Sequence, residues 1–261
     1  MGEELKIYWA TFKASLQAKL EYKLDFFLGI LTSTMLQLAA LGFLWVVFHQ
    51  TQNLQGWSQP QVVFLFGMTA MGLGGSELFF NHIWMVPYYI VMGDLDRLMV
   101  YPVRSLPFLL ISRPELHSFG NLVTGAILAG WSLWKLQMPW FDWLMVPVWA
   151  LSGSIIYTAA LVTFTSLAFK FVGPYSYTLM IPHTLLQASR YPLSIFPGWV
   201  HFILIFLIPY GAFNYLPGSW VMGKMSSPLL VLTAPVVAVL CASIAQIAWD
   251  RGLRQYQSTG S

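Results

Sequence analysis

The chain has 261 residues, 57% hydrophobic and 9% charged, with a formal net charge of +3 and a mean hydropathy of +0.64. Soluble domains carry roughly 25% charged residues, so thirteen Lys and Arg with ten Asp and Glu exclude a water-soluble enzyme or a nucleic-acid-binding domain. One cysteine, Cys241, excludes a disulfide framework and multi-thiolate metal sites. The length suits one membrane domain of about six helices, with no sizeable soluble domain beside it.

The chain opens with Leu5, Tyr8, Trp9, Phe12, Leu16 and Leu20 at helical spacing, and with Lys6, Lys13 and Gln17 off the centre of that arc. Residues 3–23 therefore read as an amphipathic helix in the cytoplasmic interface, its lysines near anionic headgroups. A helix packed on a soluble partner is the other reading. No cleaved signal peptide is expected, because the first apolar run begins at Phe26 and is long enough to span.

A bilayer core of ~30 Å takes about 20 apolar residues of helix. Residues 26–48, 62–82, 117–134, 144–169 and 229–249 qualify, and 175–194 follows with several polar groups. The shorter stretch 199–216 contains Pro209 and lies among Pro192, Pro197 and Pro217. Such breaks survive at membrane depth only where protein covers the freed backbone groups. This predicts an outer-face re-entrant hairpin between spans five and six. With the N-terminus inside and six crossings, ten of the thirteen Lys and Arg lie inside, leaving Lys135, Arg190 and Lys224 outside, as the positive-inside rule expects. A seventh crossing would make the split nine to four. The predicted class is an all-α membrane protein with six transmembrane helices and an N-terminal interfacial helix.

Polar residues mark candidate sites. Glu77 falls in the second span, with Asn81 one turn on to donate to it. A carboxylate there costs roughly 2.5–3.5 kcal/mol on insertion scales, so it reads as a gate or path residue, or as an interhelical hydrogen bond. The inner loop 85–116 holds Gly93, then Asp94 as a plausible N-cap, with Leu95, Leu98 and Met99 on one face of a short helix limited by Pro102 and Pro107. That helix either docks a soluble partner or merely caps the bundle. In span five His183, Gln187 and Arg190 form a polar stripe that lines a pathway or a subunit interface, or packs within the chain. Gln37 hints at a helix–helix contact. Gly218, Gly223 and Lys224 have phosphate-loop spacing, but Met225 stands where a Ser or Thr would hold magnesium. The five histidines show no metal-ligand spacing, and no hydrolytic motif is present. The tail from residue 255 reads as disordered.

The ordered set resembles the permease subunits of type-2 ABC transporters, closest to their short six-span subgroup. It comprises the amphipathic start, the inner-loop Gly93, Asp94, Leu95 and Asp96 with Leu98 and Pro102, then Pro192, Phe196-Pro197, Ile208-Pro209-Tyr210, Asn214 to Pro217 and Gly223-Lys224. The resemblance implies three parts: an interfacial helix over 1–25, a permease domain over 26–250 with coupling loop 85–116 and re-entrant region 195–217, and a cytoplasmic tail over 251–261. It implies both termini in the cytoplasm, in a bacterial inner membrane. It makes Gly93, Asp94, Leu95, Asp96, Arg97, Leu98, Met99 and Pro102 the partner-coupling residues. Glu77, His183, Gln187 and Arg190 would line the translocation path or the dimer interface. The partners implied are an ATP-binding subunit, a second permease subunit in a homodimer or heterodimer, and membrane lipid, with no nucleic acid. ATP and magnesium would sit on the partner, with no cofactor and no catalysis in this chain. The work implied is export of a lipid-like, saccharide, peptide or antibiotic substrate. A membrane-embedded lipid-modifying or assembly protein, or a stand-alone ion-coupled carrier, is the alternative. The carrier would favour an inverted repeat, and none is visible.

Overall fold

The computed structural model describes residues 2–170 and 176–256, side chains at 2–3, 97 and 176–178 excepted. It is all-helical, with 83% helix. Among the described residues the one extended pairing is an isolated bridge between Leu54 and Trp57. The helices are α1 (Gly2–Glu21), α2 (Lys23–Gln50), α3 (Gln59–Phe80), α4 (Val86–Met92), α5 (Leu95–Met99), α6 (Ser105–Ile111), α7 (Phe119–Lys135), α8 (Trp140–Ser166), α9 (Ser176–Ala188), α10 (Gly198–Phe202), α11 (Tyr215–Val221) and α12 (Thr233–Gln255).

Local chemistry sets several boundaries. The Ser58 backbone N–H donates to Gln61 Oε1 at 3.0 Å, half of a capping box that opens α3 with Pro60 in its first turn. Gly93, at φ +76°, ends α4 in the left-handed conformation that a side chain disfavours. Asp94 stands at the N-cap position of α5, as the sequence predicts, but its side chain makes no cap hydrogen bond. Its ψ of −16° is helical rather than extended, which is not the backbone that aims an N-cap side chain at the α5 amides.

Helix α3 is the axis of the bundle. Its membrane segment is 83% buried, whereas those of α2 and α12 are 17% and 22% buried. Glycines let α7 approach it closely: a Cβ on Gly125 would stand 2.7 Å from the Gly67 carbonyl, and one on Gly74 2.8 Å from the Leu122 nitrogen. Small residues at a membrane helix crossing gain dispersion contact that larger ones prevent. On the other side of α3, Ser76 and Thr158 hydroxyls meet at 2.7 Å. Helix α12 packs on α8, where Trp149 donates to the Val231 carbonyl at 2.9 Å.

Among the described residues four helical segments are long and apolar enough to cross a membrane: Lys23–Gln50, Gln59–Met92, Trp140–Phe169 and Pro228–Gln255. Helices α7 and α9 are shorter, at 17 and 13 residues; Tyr175, where the fifth predicted span begins, lies outside the described residues. Gly198–Leu207 and Tyr210–Val221 form a pair bent by 76°. This is either a broken span, giving five crossings, or a re-entrant loop. The bend is locked from within. Asn214, fully buried, donates to Thr69 Oγ1 at 2.9 Å and to the Ser189 carbonyl at 2.7 Å, and accepts from the Tyr215 amide. Phe213 fills the space above Gly72 and Gly153. The predicted disordered tail lies outside the described residues from 257 onward.

Candidate functional site

A cavity of about 560 Å³ opens between α2, α3, α7 and the α9 end. Glu77, His183, Gln187, Arg190 and Gln37, singled out from separate stretches of sequence, all line it. Thr32, Ser33, His117 and Asn121 join them. Glycine at 29 leaves room at its edge, since a Cβ there would press on the His117 side chain.

The Glu77 end of the cavity is knitted across three helices. Glu77 Oε2 accepts from Ser118 Oγ and from Asn121 Nδ2, both at 3.0 Å. Gln37 Nε2 donates to Asn121 Oδ1 at 2.9 Å. This corrects the expectation that Asn81 serves Glu77. Asn81 begins a 3₁₀ turn, Asn81–Met85, where α3 has already ended, so the one-turn helical spacing no longer applies. The Gln37 helix–helix contact is present. The sequence reasoning missed Ser118 and Asn121, although Asn121 follows His117 by four residues within an apolar run.

The other end holds the stripe. His183 Nδ1 meets the Tyr157 hydroxyl at 3.0 Å, and its Nε2 meets Gln187 Nε2 at 3.2 Å. Arg190 lies over the Phe66 ring, 4.7 Å from its centre. Arg190 as a whole is half-buried at the cavity wall, and its Nε is shut off from solvent.

The loop between α3 and α7 binds α1. Ser15 donates to the Ser112 carbonyl at 2.6 Å, and Lys19 Nζ stands 2.5 Å from Glu115 Oε2. His117 Nδ1 is 3.3 Å from the same oxygen. Burial works against charge on Glu115, but hydrogen bonds from His117 and Lys19 outweigh it and pull its carboxyl down to about 2. The Glu115 amide donates to the Glu77 carbonyl at 3.3 Å, so this ion pair is tied directly to the cavity. Along α1, Leu5, Trp9 and Leu20 are exposed while Tyr8, Phe12 and Leu16 are half-buried. The apolar arc is thus shared between the protein and its surroundings.

The short helix over 94–99 forms as α5, but its predicted apolar face splits, with Leu95 and Leu98 inward and Met99 outward. Leu95 is 1% exposed, and Leu98 packs against the core. What is presented outward is Met99, Val100 and Tyr101, with Tyr88 and Met92 of α4. Val100, at 83%, is the most exposed large hydrophobic residue described. Asp94 and Pro102 are exposed beside it, and Asp96 interacts with the Tyr256 hydroxyl at the end of α12. The side chain of Arg97 lies outside those described. Gly93, Asp94, Leu95, Asp96, Leu98, Met99 and Pro102 are therefore one local unit, but Leu95 and Leu98 hold it in place rather than face a partner.

The phosphate-loop spacing has a structural explanation. Gly223, at φ +66°, turns the chain after α11. Lys224 then donates to the Gly56 carbonyl at 2.7 Å over the Trp57 ring, clamping the loop between α2 and α3. Among the described residues no group of three or more His, Cys, Asp or Glu is arranged to hold a metal.

A family model described as "ABC-2 family transporter protein" matches residues 34–260. The chain belongs to the ABC-2 transporter permease family. The match begins within α2 and takes in the loop 85–116, the bent pair and the cavity lining from Leu36 onward, leaving out Gly29, Thr32 and Ser33. No curated protein and no solved structure matches the chain. Family members are membrane transport components that work with an ATP-binding subunit. This ABC-2 permease is accordingly a multi-pass membrane protein.

Proposed function

We propose that the chain is the permease subunit of an ATP-driven exporter in a bacterial inner membrane. It moves a lipid-like, saccharide, peptide or antibiotic substrate outward. In this reading α2, α3, α7, α8, α9 and α12 are six spans, both termini are cytoplasmic, and α10 with α11 is an outer re-entrant hairpin. Two permease chains, identical or paralogous, associate. ATP and magnesium are held and used on a separate subunit, and this chain contributes no catalytic group.

One observation carries the reading: polar side chains from four helices of an otherwise apolar bundle converge on one cavity. Polar groups in a membrane are costly, so they gather where a polar cargo or water compensates them. The mechanical link also supports it. The ATP-binding subunit presses on the exposed patch of Met99, Val100 and Tyr101. The inner loop moves with α1, to which Glu115 and Ser112 bind it. Glu115 passes that displacement to Glu77 through its backbone bond and to His117 through their side chains. The cavity then switches between two packings.

The test is Val100→Asp combined with Met99→Asp. Insertion and thermal stability stay unchanged, while co-purification with the ATP-binding subunit and transport-coupled ATPase activity fall at least tenfold. Full transport by the double variant refutes the docking surface.

A further inference from the structure

Among the described residues Arg190 has no carboxylate in an ion pair with it. Its Nε is shut off from solvent and has no hydrogen-bond partner. Among the described residues the two ion pairs are those of Glu115 with Lys19 and His117. Glu77 lines the same cavity but does not neutralise Arg190. Glu77 stands eleven positions along α3 from Phe66, on which Arg190 rests, or about 16 Å of helix.

Nor does a second copy of the chain offer an anion at that depth. On the six-span reading, Asp142 is the one carboxylate beyond the Glu77 level toward the outer face. It is 2% exposed, sealed in the first turn of α8. Arg190 is half-buried at the cavity wall, where water screens its charge less than in bulk and an anion beside it is held more strongly. The planar fork of the guanidinium matches phosphate or carboxylate oxygens in two parallel bonds.

The walls define the rest of the ligand. Ser33 of α2 and Gln187 present a hydroxyl and an amide to a polar head, beside Thr32 and Gln37, which already donate to the Leu28 carbonyl and to Asn121. Outside this patch α2 is exposed and apolar at Leu28, Leu31, Met35 and Leu36, and Leu36 also lines the cavity. A head in the cavity therefore continues naturally into an acyl chain along α2.

We propose that this cavity binds the anionic headgroup of a lipid-like amphiphile, with Arg190 as its charge partner. The inference deepens the substrate-route reading and rests on it. Binding is measured on the permease chain alone, however, so it succeeds or fails separately from the coupling assay.

The experiment is thermal unfolding of the full chain in neutral detergent, titrated with phosphatidylglycerol, phosphatidylcholine or inorganic phosphate. Phosphatidylglycerol at a hundredfold excess over its Kd raises the midpoint by roughly 5–10 °C; the other two leave it unchanged. Arg190→Leu abolishes the shift while remaining at least as stable as the parent without lipid. Arg190→Lys keeps part of the shift, and the exposed inner-loop variant Arg104→Leu keeps all of it. If Arg190→Leu fails to purify, Arg190→Gln carries the same expectation. Equal shifts with both lipids, or an undiminished shift in Arg190→Leu, overturn the proposal. A full shift with inorganic phosphate alone assigns the site to a free anion and overturns the amphiphile. Loss of dimer mass in Arg190→Leu, with no lipid-dependent shift in the parent, overturns it in favour of a protein carboxylate.

Discussion

Gly74→Ala tests whether the close crossing of α3 and α7 is what builds the cavity. The added methyl would stand 2.8 Å from the Leu122 nitrogen and 2.9 Å from Asn121 Cβ. Carbon atoms settle at about 3.5–4.0 Å, so the helices must part by roughly 0.6 Å at that point. Neither obstacle can move aside: one is helix backbone, the other the root of a side chain. The same displacement stretches the 3.0 Å bond from Asn121 to Glu77 to about 3.6 Å, where it no longer counts as a hydrogen bond. Overpacking costs typically 1–3 kcal/mol, and the lost bond adds about 1 kcal/mol. At roughly 2–4 °C per kcal/mol for a chain of this size, the unfolding midpoint falls by about 5–15 °C. Gly42→Ala is the paired control. It lies in α2 with nothing within 4 Å of its added methyl, and replacing a mid-helix glycine gains up to about 1 kcal/mol. Differential scanning fluorimetry in detergent reads both. If Gly74→Ala matches or exceeds the parent, the crossing is not tight and the cavity has another origin.

Three further outcomes are expected. Glu115 has a folded pKa of about 2, below its ordinary 4.5, so its contribution is full above that ordinary value and is lost as pH falls from about 4.5 toward 2. The protection of α1 amides, measured against their intrinsic exchange rates, falls over that window and stays flat between pH 5 and 7; Glu115→Gln removes the dependence, and an unchanged profile in that variant refutes the assignment. Asn214→Leu strands the Ser189 carbonyl and the Tyr215 amide, so it lowers stability by roughly 2–4 kcal/mol and exposes the 198–221 segment to protease. Leu95→Asp buries a carboxylate in a core position that is 1% exposed. It aggregates or is degraded, whereas exposed Val100→Asp inserts normally; equal expression of the two refutes the inward orientation of Leu95.

Composition and hydropathy by themselves determined that this is an all-helical membrane protein, because 9% charge cannot coat a soluble surface. Pattern also supplied the short helix over 94–99, the contact made by Gln37, and the helix over 3–23, since these depend on spacing within one segment. The polar residues of interest were visible individually, because a charge or amide in an apolar run stands out. What only the tertiary structure decided is which of them meet. Glu77 pairs with Ser118 and Asn121 instead of Asn81 because α3 ends at Phe80 and α7 crosses it over glycines. The apolar face of α5 splits, with Leu95 and Leu98 inward and Met99 outward, because Leu95 fills the core under α6, a choice that periodicity leaves open: it shows that a face exists, but not what it faces. Among the described residues no carboxylate pairs with Arg190, and distance in three dimensions is not written in the order of residues.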